Sequence, residues 1–185
     1  MFRIDKGRLL ILPNEGRSVW LGTRVGAALK VSARETGDSF SAVELTITPG
    51  SIVVPHTHSR EDEVTYVIEG EIGVKIGDQV VTVPSGSYVF KPRNVPHTFW
   101  NPGTRDARTL EMIAPPDFAS YFEESSKILS EPGSSAKRKE SELDEKYGLT
   151  TTLNGCLNSS ESTNSRIRYP NHPTSQTLPK AAEEV

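Results

Sequence analysis

Three of the chain's four histidines stand with a glutamate in two short blocks of sequence. His56 and His58 are separated by one residue in an extended run, and Glu63 follows at the start of the next predicted strand. Because successive side chains of a strand alternate between its faces, both imidazoles point the same way. His97 lies near the start of a further predicted strand. Three neutral imidazoles and one carboxylate suit a first-row divalent metal and leave coordination positions for water, substrate or dioxygen.

Glycine, proline and asparagine residues stand at fixed distances from these four side chains. The first block reads Gly50-x5-His56-x-His58-x4-Glu63-x6-Gly70, and the second reads Gly86-x5-Pro92-x-Asn94-x2-His97-x3-Asn101. Both blocks resemble the two signature motifs of the cupin superfamily, with the short separation typical of small bacterial members, and every fixed position but one matches. The exception is Asn94, where the family usually has glycine. That position requires a left-handed backbone, which asparagine tolerates better than other non-glycine residues.

Further stretches resemble one group of that superfamily, the single-domain quercetin-dioxygenase-like small cupins. The resemblance spans roughly residues 17–150 and is carried, beyond the two motifs, by residues 37–41, 58–63, 91–97, 118–122 and 145–149. For the fold, it implies a double-stranded β-helix jelly-roll barrel, an all-β architecture. For function, it implies metal-dependent dioxygenase, isomerase, cyclase or lyase activity, and frequent homodimers.

The motif register selects four metal ligands, which are His56, His58, Glu63 and His97. We expect one divalent transition metal per chain. Iron is the expected metal, with Mn, Ni, Cu and Zn as alternatives because each accepts this ligand set. Glu63 is also the candidate catalytic residue, since a ligand carboxylate can accept a proton from an acidic substrate hydroxyl. Its acidic neighbours Glu61 and Asp62 are expected to be solvated.

Four further side chains share strand parity with these ligands. They are Thr65, Val67, Val95 and Phe99. Side chains of one parity face one side of a strand, so these residues either line a substrate pocket or fill the barrel core. The sequence leaves both interpretations open.

Short apolar-alternating runs between turn signals continue from about residue 19 to residue 114. Runs of this length, rich in β-branched and aromatic residues and punctuated by Gly and Pro, favour strands. Many strands without intervening helices favour a closed barrel or sandwich. The predicted strands are Ala27–Ser32, Ser41–Thr48, Ser51–Pro55, Glu63–Glu69, Glu71–Ile76, Gln79–Val83, Ser87–Lys91, His97–Asn101 and Ala107–Ile113.

The chain divides by composition into four segments. An N-terminal segment covers residues 1–16, the β-barrel covers 17–114, and one or two short helices cover 115–149. Asp117 can cap the first helix, which Pro132–Gly133 ends, and a second helix is predicted over Ala136–Tyr147. Both are expected to pack outside the barrel or on a partner subunit. Residues 150–185 are rich in Ser, Thr, Asn and Pro and predict a flexible tail.

Charge and cysteine content exclude several classes of protein. The net charge is −3, which gives no basic footprint for nucleic acid or an anionic membrane. One cysteine, Cys156, allows neither an intrachain disulfide nor a cysteine zinc cluster. The apolar run Leu9–Leu12 is too short for a signal-peptide core, and no segment reaches the length of a membrane span. We therefore expect a cytoplasmic protein.

These observations lead to one leading function and two alternatives. The leading one is a metal-dependent oxygenase, a dioxygenase acting on a small aromatic or enol-bearing substrate that chelates the metal through oxygen. The first alternative is a non-redox cyclase, isomerase or lyase of small-molecule (natural-product) biosynthesis, in which the metal stabilises an enolate as a Lewis acid. The second is a small-molecule-binding cupin without turnover. In each case we expect a homodimer, because pairing would cover an edge strand.

Overall fold

The computed structural model describes residues 10–130 and 136–151. Within these ranges three α-helices and eleven strands occur, and a 3₁₀ turn at Pro116–Phe118 precedes the second helix. The helices are α1 (Ala33–Thr36), α2 (Ala119–Ser130) and α3 (Ala136–Tyr147). The strands are β1 (Arg17–Leu21), β2 (Val25–Val31), β3 (Ser41–Ile47), β4 (His56–His58), β5 (Asp62–Glu69), β6 (Glu71–Ile76), β7 (Gln79–Pro84), β8 (Tyr88–Lys91), β9 (His97–Trp100), β10 (Ala107–Ala114) and β11 (Leu149–Thr151).

The strands form two antiparallel sheets that share one apolar core. The six-stranded sheet has the order β1-β2-β3-β10-β5-β8, and the five-stranded sheet has the order β11-β4-β9-β6-β7. Inward side chains of both sheets meet between them, among them Leu45, Val67, Ile72 and Val74. The predicted all-β jelly-roll barrel is confirmed.

The structure differs from the sequence prediction mainly in short elements at the sheet edges. The predicted strand Ser51–Pro55 is an extended loop that contributes a single bridge, from Ile52 to Trp100, and the paired strand begins only at His56. Strands β1 and β11 and helix α1 were not predicted. Three to five residues carry too little periodicity to be recognised without the neighbours that pair with them.

Strand β11 extends ordered structure into the segment assigned to the tail. Thr150 and Thr151 pair with Thr57 and His56 of β4, so backbone hydrogen bonds hold two residues that composition placed in the tail. Residues 152–185, and with them Cys156 and the rest of the predicted tail, lie outside the described residues, as do residues 1–9. The first strand begins at Arg17 and the tenth ends at Ala114.

The two longer helices pack against the barrel. Helix α2 contacts β1 and β3, and α3 contacts α2 and β11. Asp117 lies inside the 3₁₀ turn rather than at a helix N-cap, because Pro115 and Pro116 set the backbone of the turn and α2 begins only at Ala119. Helix α3 has the predicted limits, and Gly148 follows it with a φ of +67°. The predicted stop at Pro132–Gly133 lies outside the described residues.

No helix in the described ranges has both the length and the apolar character to span a membrane.

Candidate metal centre

The four predicted ligands come together between the two sheets. His56 and His58 lie on β4, and the register pairs His56 directly with His97 of β9. Glu63, the second residue of β5, reaches the same point from the six-stranded sheet. One potential ligand atom from each of the four side chains lies within 4.8 Å of every other, and all four residues are buried. The spacing in the sequence therefore predicted a real cluster.

Backbone carbonyls orient two of the imidazoles. His56 Nδ1 lies 2.7 Å from the carbonyl oxygen of Val54, and His97 Nδ1 lies 3.1 Å from that of Val95. A carbonyl only accepts, so each Nδ1 carries the proton and each Nε2 presents a lone pair. His97 Nε2 is buried and has no hydrogen-bond partner. A buried ring nitrogen that has a lone pair and no hydrogen-bond partner is available to coordinate a metal ion.

A carboxylate that sequence reasoning placed in solvent lies beside His58. His58 Nδ1 lies 3.3 Å from Glu61 Oε2, and both side chains are almost fully buried. The loop between β4 and β5 turns Glu61 inward, which a run of three acidic residues does not reveal. A carboxylate behind a histidine orients the ring and strengthens it as a ligand. Asp62 faces outward instead and accepts hydrogen bonds from the backbone and guanidinium of Arg93.

The second motif holds this arrangement together. Asn94 adopts a φ of +64°, as its place in the motif predicted, and its backbone N–H donates to the carbonyl of His58 at 2.7 Å. Asn101 is buried, and its amide donates to the carbonyls of Ile47 and Arg105. Both motif asparagines therefore shape the backbone around the cluster rather than enter it.

A buried lysine and a second buried glutamate adjoin Glu63. Lys91 Nζ lies 2.9 Å from Glu63 Oε2 and 2.8 Å from Glu111 Oε2, and Thr65 Oγ1 donates to Glu111 at 2.7 Å. Sequence reasoning missed Lys91 and Glu111. The available signal was strand parity. Lys91 lies on the same face of β8 as buried Val89, and Glu111 lies on the same face of β10 as buried Ile113.

The charges keep the cluster in a metal-binding protonation state. Burial alone would raise the pKa of Glu63, but Lys91 and the three histidines hold it well below its usual range. Burial, followed by the proximity of His97, lowers the pKa of His56 to about 3. A neutral imidazole and an ionised carboxylate are the forms that coordinate a metal. The low pKa also makes Glu63 a weak base.

The distances from Glu63 to two of the histidines, and the excess of acidic groups around the cluster, are compatible with a divalent cation. Glu63 oxygens lie 3.5 Å from His58 Nε2 and 3.3 Å from His97 Nε2. Two donors about 2.1 Å from one ion are roughly 3.0–3.4 Å apart when they subtend 90–109° at it. Two buried carboxylates, Glu63 and Glu111, contact the one ammonium of Lys91, and a third, Glu61, lies beside His58, so a divalent cation would offset an excess of acidic groups.

A cavity of about 400 Å³ borders the cluster. Its polar lining includes His56, Glu63, Lys91 and Glu111, and most of its remaining wall is apolar. The apolar wall includes Leu45, Val53 and Phe99 of the barrel and Phe118, Tyr121 and Phe122 of the helical segment. The helices, which the sequence placed outside the barrel, thus supply aromatic side chains to this cavity.

Among the four predicted pocket residues, Phe99 lines the cavity and the other three are not part of its lining. Thr65 and Val67 do face inward on β5, but Thr65 is engaged with Glu111 and Val67 lies in the core. Val95 is half-buried in the turn before β9, where strand parity does not apply.

Comparisons with known proteins agree with this geometry. The family model described as "Cupin domain" matches residues 43–113, which include all four cluster residues. A predicted oxalate decarboxylase from Thermotoga maritima is 21% identical, with 57% of this chain and 97% of that chain covered and a TM-score of 0.54. KdgF from Halomonas sp. is 17% identical, with 57% and 92% covered and a TM-score of 0.51. At these identities the two structures show the shared fold.

A curated relative matches over a smaller region. A mannose-1-phosphate guanylyltransferase of Salmonella muenchen is 26% identical over 83 residues, which is 45% of this chain and 18% of that protein. The match therefore spans less than a fifth of that relative and concerns a shared domain. The family model thus identifies residues 43–113 as a cupin domain, and the fold, the two motifs and the buried histidine–glutamate cluster agree with it.

Proposed function

We propose that this protein is a metal-dependent oxygenase, a dioxygenase that acts on a small aromatic or enol-bearing molecule. The observation that supports it is the position of the cluster of His56, His58, Glu63 and His97 beside a largely apolar cavity of about 400 Å³. Pockets of this size with a few convergent polar groups are typical of small-molecule sites. A bound first-row metal would supply a Lewis acid and, if redox-active, a site for dioxygen.

In this proposal the residues of the chain would bind the metal ion, orient the imidazole rings and shield the cavity from water. The three histidines and Glu63 hold the ion, while Glu61 and the carbonyls of Val54 and Val95 fix the imidazole rings. The aromatic side chains of the helical segment exclude water from the cavity, which strengthens electrostatic interactions within it. Glu63 acts first as a ligand. Because its pKa is low, it accepts a proton only from a substrate hydroxyl that is itself acidic.

A non-redox cyclase, isomerase or lyase is the second candidate. The observation that favours it is Lys91, whose ammonium borders the same cavity. A fixed cation beside a metal stabilises a developing enolate without electron transfer.

Metal analysis tests what both candidates share. We expect about one divalent ion per chain in the purified wild type and less than a tenth of that in a His56→Ala/His58→Ala double variant. His172→Ala removes the remaining histidine, which lies outside the described residues, and serves as the matched control with full metal content. Equal metal content in the double variant and the wild type would contradict the site.

Oxygen uptake then separates the two candidates. The metal-loaded protein is offered catechols, flavonols and diketones, and consumption of oxygen is followed together with loss of substrate. Stoichiometric uptake supports the dioxygenase. Substrate loss without uptake favours the non-redox candidate, and saturable binding without turnover favours a binding module.

A further inference from the structure

Lys91 has a hydrogen-bond donor that the described residues do not use. Its ammonium carries three N–H groups, and two of them serve Glu63 and Glu111 at 2.9 and 2.8 Å. No third acceptor for it occurs among the residues that the structure describes. The side chain is 2% exposed and borders the cavity, and its Nζ lies 5.1 Å from the ring centre of Phe99, which also lines the cavity.

The position of this donor is fixed by its neighbours. Lys91 pairs with Glu63 across adjacent strands, and Glu111 accepts from the hydroxyls of Thr65 and Thr109. Lys91 therefore cannot turn to another partner without leaving a buried carboxylate unpaired, which is costly. Although burial opposes it, the two carboxylates raise the pKa of Lys91 above its ordinary value.

We propose that the third N–H of Lys91 anchors an oxyanion, a carboxylate or enolate, of the molecule that occupies the cavity. The ligand is then an anion with an apolar body, because the same cavity is also lined by Phe118, Tyr121 and Phe122. This inference rests on the proposed function and narrows its substrate class. His56, His58, Glu63 and His97 would hold the metal ion beside this anchor, and Lys91 selects for negative charge at that end of the molecule.

The charges around Lys91 set a condition on this binding. The carboxylates of Glu63 and Glu111 outnumber the one ammonium that they contact, so we expect the metal-free site to disfavour an anion. A divalent cation offsets that excess. We therefore expect an anionic ligand to bind the metal-loaded protein and not the metal-free protein.

Calorimetric titration of the full chain loaded with Zn²⁺ tests the inference. The probes are 3-phenylpropanoate, an anion with an aromatic body, and 3-phenylpropanamide, its neutral counterpart of nearly the same shape. We expect the wild type to bind the acid at least about tenfold more tightly than the amide, as for a charge-assisted hydrogen bond in a buried site. Lys91→Met should remove that preference by weakening the acid and leaving the amide unchanged. Lys91→Arg should retain part of the preference for the acid over the amide. Lys75→Met, the same change at an exposed lysine of β6, should retain all of that preference.

Three results would overturn the inference. They are equal wild-type affinity for acid and amide, equal loss of both in Lys91→Met, and failure of the wild type to bind the acid at all. Elemental analysis of the same samples reports separately on the proposed function, since a zinc-loaded protein without acid preference contradicts only the role of Lys91. If Lys91→Met does not fold, the wild-type comparison of acid with amide and the Lys91→Arg variant still decide.

Discussion

Three neighbouring strands, β10, β5 and β8, differ in the side chains that they turn toward the core and toward solvent. Toward the core these strands present Glu63, Lys91 and Glu111, each 5% exposed or less. Toward solvent β5 and β8 present aromatic side chains, and Tyr88 and Phe90 of β8 are 70% and 59% exposed. An antiparallel sheet normally buries its apolar face and hydrates its polar one. The charges here lie inside, and each of them contacts a partner of opposite charge.

Register makes that pairing possible. Glu63 lies directly opposite Lys91, and Thr65 lies opposite Glu111. Charges on adjacent strands thus meet at the distances of hydrogen bonds, and no one of them is left alone in the interior. On the outer face, the rings of Tyr66 and Tyr88 contact each other at 4.7 Å, and Tyr66 is half-buried whereas Tyr88 is 70% exposed.

The largest expected effect comes from removing an inner cation. Lys91→Met leaves the carboxylates of Glu63 and Glu111 buried together without their counter-ion, and the free energy of unfolding should fall by about 3–5 kcal/mol. Arg93→Met is the matched change outside, since it removes a cation from an exposed pair with Asp62. Surface pairs contribute little to stability, so we expect almost no change. Urea denaturation of the metal-free proteins measures both. Equal losses would show that the two faces do not differ energetically.

The second effect concerns neighbouring carboxylates on opposite faces of β5. Glu63→Gln keeps the size and one coordinating oxygen but removes the negative charge. If that charge tunes the metal or accepts a proton, turnover should fall about a hundredfold with metal still bound. If Glu63 is a ligand only, metal and activity should fall together. Asp62→Asn, on the outer face, should change neither. If Glu63→Gln retained full metal content and full activity, Glu63 would have neither role. Glu61, which contacts His58, would then be the candidate carboxylate.

The same contrast shows what the sequence could and could not predict. The cluster was predictable because its residues belong to two motifs whose internal spacing is fixed. Strand parity marks Lys91 and Glu111 as inward-facing, but only the register of β8, β5 and β10 brings them to Glu63. Glu61 could not be separated from Asp62 and Glu63 until the direction of the loop was known. The aromatic wall depended on how α2 docks, which is a tertiary property.

A third, smaller effect tests the outer face. Strand β8 lies at the edge of the six-stranded sheet and carries Tyr88 and Phe90. A twofold axis would place two such edges against each other, and we expect a second copy of the chain to cover this face. Light scattering should give about twice the monomer mass of 20.3 kDa. Phe90→Arg should yield monomers with unchanged metal content, whereas Val80→Arg, at an exposed position of β7, should not. A monomeric wild type at micromolar concentration would contradict the dimer.

The smallest expected effect lies at the end of the described chain, where β11 covers the edge of β4. Thr151 is the last described residue of that pairing, and it lies opposite His56. A chain that ends at Thr151 keeps every described contact of the barrel, so its melting temperature should stay within about 2 °C of the full chain, with equal metal content. A chain that ends at Gly148 loses Leu149, which is 8% exposed in the core, and frees the strand that carries both histidines. It should melt earlier and bind metal more weakly, which shows that the assay responds to this edge. A large loss in the chain that ends at Thr151 would instead mean that residues 152–185 contribute to the fold, and the prediction of a dispensable tail would be wrong.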